Sequence, residues 1–323
     1  MSATSAAGSD PDATDAAAGG ASVGAWGDRP ARVLVVGDLI DDLVVQPGGP
    51  IAYATDTPSR ITPTLGGSAA NQATWLAAAG ARARLVARVG AADVDRHTRA
   101  LRAAGVEPWL IADPDLATGT IVILLDETGE RSMFTDRGAN LGLCVEDLPD
   151  GVLDDVDALH LTGYSLFDDE VRAAVLDLVE RARSREVPIT IDPSSTGFLR
   201  SVGAATFLGW IGEVAALLPN ADEAKLLSGD ADPHDAARTL LAHAPLVAVT
   251  CGSAGAVVAT RDADPVQVPA PDVEVVDTTG AGDAFTGAFL AAWLTGADAV
   301  QSTEAGVAAG ARAVAVTGGR PGP

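Results

Sequence analysis

The sequence predicts an α/β protein: a doubly wound, mostly parallel sheet flanked by helices, with a small β-sheet lid. Three observations carry this. Short apolar, β-branched runs such as Val33 to Val36 read as strands buried on both faces. They alternate with longer segments of helical period, the pattern of a parallel sheet with crossover helices. Polar motifs recur directly after the strands, where such sheets bind ligands.

The elements follow in order. Residues 1–30 are rich in Ala, Gly, Ser and Asp without periodicity, and read as a disordered tail before one domain spanning 31–320. The first strand ends at Gly37 and Asp38. Between Asp41 and Leu65, Pro47, Pro50, Pro58 and Pro63 interrupt short extended pieces, so 43–65 is expected to form part of the lid. Gly66-Gly67 opens a helix that stops at Gly80. A strand over 84–90 and a helix over 93–105 come next. Two apolar runs around Glu127–Glu130 predict a hairpin over 119–136, the rest of the lid. Strands over 158–163 and 188–194 bracket a periodic helix over 168–186. A strand over 214–220, a helix over 221–229 and a strand and glycine turn over 245–255 repeat the theme. Two apolar helices, about 281–295 and 297–316, close the chain. There is no internal repeat and no clear linker.

Composition narrows the chemistry. The net charge of −23 argues against nucleic acid and anionic membrane as partners. No apolar run approaches the ~20 residues that span a bilayer. The N-terminus lacks a basic-then-apolar leader pattern. Cys144 and Cys251 are far apart, which argues against a disulfide framework. A cytoplasmic protein is expected. Lys225 is the only lysine, so neither a Gly-Lys-Ser/Thr phosphate loop nor a protein-kinase strand lysine can be built. Phosphate must be neutralised by other means. His97, His160, His234 and His243 form no spaced pair and read as surface or satisfied core residues. No Gly-x-Ser-x-Gly or HExxH string occurs to support a hydrolase.

Four strings carry candidate chemistry. Thr279-Gly280-Ala281-Gly282-Asp283 places small residues where an apolar helix begins. The first N–H groups of a helix lack internal partners and lie at its positive end, so they form an anion site. Asp283 reads either as a cap of that helix or as an ionised base beside the anion site. Gly66-Gly67-Ser68-Ala69-Ala70-Asn71 lets the chain pass close to a ligand, and Asn71 offers donors and acceptors to hydroxyls; a buried helix-start Asn is the other reading. Asn220-Ala221-Asp222-Glu223 reads as a capping box and as an acid acting on Mg²⁺ through water, two roles that are compatible. Thr250-Cys251-Gly252-Ser253-Ala254-Gly255 is a glycine turn after a strand.

Together, in this order, these strings resemble the signatures of the ribokinase-like (PfkB) carbohydrate kinases, over roughly residues 32–320. The resemblance implies that Asp283 is the catalytic base and that amides of Gly280, Ala281 and Gly282 form the anion hole. It places Gly66, Gly67 and Asn71 at the sugar. It also places there Asp42, five residues after Gly37, at the end of the first strand; Asp38 and Asp41 are rival candidates for that register. Asn140 is a further sugar contact or part of a plain turn. The resemblance assigns Thr250, Gly252 and Gly255, with Asn220, to ATP, and Asn220 and Glu223 to Mg²⁺ through water. Asp277 and Thr279, with the segment from Val316 to Gly319, are assigned to a monovalent cation such as K⁺. The implied activity is ATP-dependent phosphorylation of a primary hydroxyl of a small sugar, ribose-like first. A 2-keto-3-deoxy sugar acid, fructose or a nucleoside is the alternative, and a non-catalytic sugar-binding regulator a remoter one. The lid would exclude water and make a homodimer contact.

Overall fold

The computed structural model describes residues 29–125, 131–316 and 318–321. The tail expected over 1–30 lies outside these residues except for its last two, as do Glu127–Glu130 and Thr317.

Thirteen strands and nine α-helices are formed by the described residues. In chain order they are β1 (Arg32–Val36), β2 (Ile40–Pro47), β3 (Ser59–Gly66), α1 (Ser68–Ala78), β4 (Arg82–Gly90), α2 (Val94–Ala103), β5 (Glu107–Asp113), β6 (Thr118–Leu125) and β7 (Arg131–Gly138). Then come β8 (Ala158–Thr162), α3 (Asp169–Ser184), β9 (Ile189–Asp192), α4 (Thr196–Val202), α5 (Ala204–Ile211), β10 (Ala216–Leu217), α6 (Ala221–Ser228) and α7 (Pro233–Leu240). The chain closes with β11 (Leu246–Thr250), β12 (Ala256–Thr260), β13 (Ala263–Val268), α8 (Ala281–Leu294) and α9 (Ala299–Val314).

A nine-stranded sheet runs β13-β12-β11-β10-β9-β8-β1-β4-β5. It is parallel from β5 to β11; β12 runs against these strands, and β13, antiparallel to β12, returns to their direction. Successive residues of β1 enter opposite cores. Leu34 and Val36 pack in the layer with α3 to α7, and Val33 and Val35 in the layer with α1, α2, α8 and α9. A strand apolar at every position is what burial on both faces requires. Five of the helices begin on side-chain caps, among them α3, where Asp168 accepts from the amides of Glu170 and Val171, and α9, where Asp298 accepts from that of Gln301. No helix among the described residues is long and apolar enough to cross a membrane.

The lid is a four-stranded sheet, β3-β2-β6-β7. Strand alternation sorts its two faces. Ile40, Asp42, Ile121, Ile123, Arg131, Met133, Thr135 and Arg137 line the cleft beneath it. Leu43, Val45, Val122, Leu124, Ile61 and Phe134 share the outer face by register, and Ile61 and Phe134 are more than half exposed. β2 starts three residues after Gly37, so the lid grows directly from the carboxyl end of β1. Asp42 therefore sits in the lid strand β2, not at the end of the first strand as the sequence implied.

Several elements exceed the sequence reading. β5, α4, α5, α7 and the β12–β13 hairpin are all present. α4 and α5 have 7 and 8 residues, too few turns to display a period. β5 and β13 are the sheet's edge strands; β13 is of mixed polarity, and β5 holds a short apolar run over 109–112 between Glu107 and Asp113.

Candidate active site

α8 begins without a side-chain cap. Its N-cap is Gly280, with φ of 75°, and a Cβ there would lie 2.4 Å from the Cα of Gly319. Only glycine tolerates both conditions. The first amides of α8 are thus bare toward the cleft. Asp283 does not bond back to them as a cap would. Its Oδ1 accepts from Ser68 Oγ at 2.7 Å and Gln72 Nε2 at 3.1 Å, and its Oδ2 from Asn71 Nδ2 at 3.0 Å. Burial raises the Asp283 pKa; the three donors and Arg320 oppose that rise.

The donors to Asp283 all come from the first turns of α1, so the Gly66–Asn71 string and the Gly280–Asp283 string form one site. Asn71 Oδ1 accepts from Arg320 Nε at 3.1 Å, and Arg320 Nη2 donates to the Gly66 carbonyl at 3.2 Å. Burial holds the Arg320 pKa down to about 10, against the pull of Asp42, Asp283 and Asp41. Nothing in the local sequence around Arg320 signalled this; it arrives from the far end of the chain.

The three aspartates after β1 separate cleanly. Asp38 is paired by Arg137, with Nε at 2.9 Å and Nη2 at 2.7 Å, and Asp41 by Arg96 on α2. Asp42 has no hydrogen-bond partner among the described residues, and its buried Oδ1 is unsatisfied. Burial pushes its pKa up to about 6, with Asp41 and Asp283 adding to the rise and Arg320 opposing it. A Cβ at position 66 would lie 2.1 Å from Asp42 Oδ2, so Gly66 makes the room this carboxylate occupies.

Asn220 and Glu223 form the expected capping box at α6: Asn220 Oδ1 accepts from the Glu223 amide at 2.9 Å, and Glu223 Oε2 from the Asn220 amide at 3.0 Å. Glu223 is 2% exposed, and burial pushes its pKa to about 7. Its Oε1 has no protein partner among the described residues and faces the cleft. One free carboxylate oxygen suits a cation that keeps most of its water, which is how Mg²⁺ binds. Asp192, at the end of β9, was not singled out by the sequence. It lines the same cleft and accepts from Gln72 Nε2 at 2.7 Å and the Ser194 amide at 2.9 Å. Burial, then Glu223 and Asp283, raise its pKa well above the ordinary value.

Two cavities meet at the start of α8. One, of about 770 Å³, lies under the lid and is lined by Asp42, Gly67, Asn71, Gly280, Gly282 and Asp283 among others. The other, of about 620 Å³, lies behind it, with Thr250, Gly252 and Gly255 on one wall and apolar Val273, Val275, Phe285, Val307 and Val314 on another. Asn220, Thr250, Thr278 and Gly282 line both. Ala281 lines the second.

Two expectations change. Asn140 does not line the cleft. It is buried, its Nδ2 donates to the carbonyls of Leu39 and Arg137, and its Oδ1 accepts from the Leu39 amide. An amide with both hydrogens spent on backbone pins the root of the lid and has no donor left for a sugar. Asp277 and Thr279, expected at a monovalent cation, instead meet the guanidinium of Arg131 from β7. Arg131 Nη1 bonds Asp277 Oδ1 at 3.0 Å and the Thr279 hydroxyl, and Nη2 bonds the Thr278 hydroxyl. Asp277 Oδ2 accepts from the Gly318 amide at 3.0 Å, so Gly318 does approach from the segment anticipated.

A sequence model described as pfkB family carbohydrate kinase matches residues 30–323. The chain is 33% identical over 307 residues to the bifunctional protein HldE of Shewanella amazonensis, covering 87% of this chain and 60% of that relative. It therefore spans about 60% of the length of the HldE relatives it matches. It is 32% identical over 267 residues to the ATP-dependent ribose-1-phosphate kinase of Halopiger xanaduensis, covering 80% of this chain and 83% of that one. Among solved structures, the adenosine kinase from Sinorhizobium meliloti superposes with a TM-score of 0.79 at 26% identity, over 90% of this chain and 96% of that one. A putative ribokinase II from E. coli in complex with ATP and Mg²⁺ superposes with a TM-score of 0.80 at 26% identity, over 90% and 94%.

Proposed function

The chain belongs to the pfkB family of carbohydrate kinases, and from that premise we propose that it transfers the γ-phosphoryl group of ATP to a primary hydroxyl of a small sugar, a ribose-like one first. The sugar lies in the lid-covered cavity, with Asp42 and Asn71 on its hydroxyls and Gly66 and Gly67 leaving it room. ATP lies in the second cavity, its base against the apolar wall and its phosphates toward α8. Asp283 takes the proton of the attacking hydroxyl as the new O–P bond forms and ADP leaves. Its Oδ1 already accepts two donors and its Oδ2 one, so Oδ2 has the lone pair for that proton. The bare amides from Gly280 to Asp283 hold the charge on the transferring group. Asn220 and Glu223 would hold Mg²⁺ through water, which supplies positive charge to the phosphates. Arg131 already places a cation at Asp277, so no monovalent cation enters the proposal. Turnover is expected to be unchanged when K⁺ is replaced by tetramethylammonium.

Two relatives named for ribose-containing substrates, ribose 1-phosphate and adenosine, support the ribose-like reading. The apolar outer face of the lid, with Ile61 and Phe134 exposed, supports a homodimer through that sheet. A cytoplasmic location fits the use of ATP.

The observation that carries the mechanism is Asp283, uncapped and triply held where the two cavities join. Asp283→Ala is expected to lower kcat by roughly 10³-fold while leaving sugar affinity nearly intact, since the base acts on the transition state. Wild-type turnover in that variant would remove Asp283 from the mechanism. An ADP-release screen over sugars, sugar acids, sugar phosphates and nucleosides identifies the acceptor.

A further inference from the structure

Beneath the base, one of its three donors continues into a buried polar chain that the mechanism above leaves without a role. Gln72 on α1 and His160 on β8 are both fully buried. Gln72 Nε2 lies 2.7 Å from Asp192 Oδ2, 3.1 Å from Asp283 Oδ1 and 3.2 Å from Ser68 Oγ. Its Oε1 lies 2.8 Å from His160 Nε2, and His160 Nδ1 lies 2.8 Å from the hydroxyl of Thr190, its partner across β8 and β9.

We propose that His160 and Gln72 are positioning residues for the phosphoryl transfer: His160 fixes the Gln72 amide so that it bridges Asp283 and Asp192 and aims the base. The inference rests on the kinase reading and deepens it.

Hydrogen-bond polarity leaves one consistent assignment. With both carboxyls ionised, as a base that is to take a proton requires, each can only accept, so the Gln72 nitrogen must face them and its oxygen must face His160. That oxygen is itself an acceptor, so His160 must carry its proton on Nε2. Nδ1 then accepts from Thr190. Burial pushes the His160 pKa down to about 3, which keeps the ring neutral and the tautomer single. With the amide reversed, a carbonyl would face two carboxylates and an NH₂ group would face an N–H. One amide hydrogen serves Asp192; the other is shared between Asp283 and Ser68. Asp283 is also within the influence of Arg320, and Asp192 within that of Glu223. The bridge keeps two desolvated carboxylates side by side without a shared proton, and turns Asp283 so that Oδ2 faces the sugar.

The test uses the full chain in three variants, read by kcat for phosphotransfer and by calorimetric sugar affinity. Gln72→Met is expected to lower kcat roughly 30-fold or more, and His160→Leu roughly 10-fold, each with sugar affinity within about threefold of wild type. His160→Gln restores a donor near the Nε2 position and is expected to bring kcat back to within about threefold. A structural role alone would not give that split or that rescue. Wild-type turnover in folded Gln72→Met or His160→Leu would overturn the proposal. A second arm needs no variant: long-range ¹H–¹⁵N spectra of the wild-type protein should show His160 as the neutral Nε2–H tautomer from about pH 6 to 9. An Nδ1–H tautomer, or titration within that range, would overturn it even where a variant fails to fold. Absence of phosphotransfer by the wild type on every acceptor would sink the kinase reading instead, and the tautomer arm would still report on the bridge.

Discussion

Asp42 enters the cleft with a carboxylate oxygen that no donor among the described residues reaches. A buried acceptor without a partner is costly, and in the function we propose a sugar hydroxyl would supply the missing donor. The hydroxyl donates to the ionised form. Because burial puts the Asp42 pKa at about 6, sugar affinity should weaken as pH falls through that value, by about tenfold per unit below it. Calorimetric titration at several pH values checks this, and Asp42→Asn should both weaken binding and flatten the pH dependence. The sequence put Asp42 first and left Asp38 and Asp41 as rivals for that register. Spacing along a chain does not reveal which aspartate finds an arginine, and the partners Arg137 and Arg96 lie on β7 and α2. Asp192 and Arg320 escaped the sequence for the same reason: their roles come from neighbours distant in the chain. Asp283 and Asn71 were legible because the chemistry sits in contiguous strings at helix starts.

At the scale of elements, the lid is tied at both ends. Its root is held by Asn140 on the Leu39 backbone and by the Asp38–Arg137 pair. Its far end is held by Arg131 on the turn that precedes α8. Breaking the second tie with Arg131→Ala should leave the sheet folded but loosen it. Expected outcomes are faster amide exchange in β6 and β7, a fall in phosphotransfer of roughly tenfold, and more ADP released without sugar. Unchanged exchange in those strands would mean that the contact does not hold the lid. The lid strands and the buried strands of the main sheet were readable as prolines and apolar runs. The two-residue β10 was overestimated as a strand over 214–220, because its apolar residues continue past the point where the backbone leaves the sheet.

For the whole molecule, several carboxylates gathered in one cleft make stability depend on pH. Asp42 and Glu223 have folded-state pKa values of about 6 and about 7, and Asp192 and Asp283 are also raised. A raised carboxylate binds its proton more tightly folded than unfolded, so its contribution to stability falls as pH rises through that window. The net charge of −23 pushes the same way, since self-repulsion grows as protons leave. His97 and His160, whose pKa values are lowered by burial, work in the opposite sense as pH rises through about 6.5 and offset part of that fall. The ligand-free protein should therefore melt several degrees higher at about pH 6.5 than at pH 8, as calorimetry can measure. A melting temperature that rose steadily from pH 6.5 to 8 would contradict this account of the cleft. The doubly wound sheet and its order of motifs were legible at this scale, because the alternation of strand and helix is a property of composition and period. The clustering of acids was not, because four carboxylates from four different elements converge only when the sheet is assembled.

The two joined cavities have different walls, and that division has an evolutionary reading. The chamber we propose for the acceptor is roofed by the cleft face of the lid, with Ile121, Ile123, Met133 and Thr135 lining it. The chamber we propose for ATP is walled by α8, α9 and the loop before them. Substitutions at those four roof positions would retool the enzyme for another acceptor while the phosphate machinery stayed intact. A fold that keeps its donor half constant and lets its acceptor half drift can diversify by point mutation, one roof residue at a time.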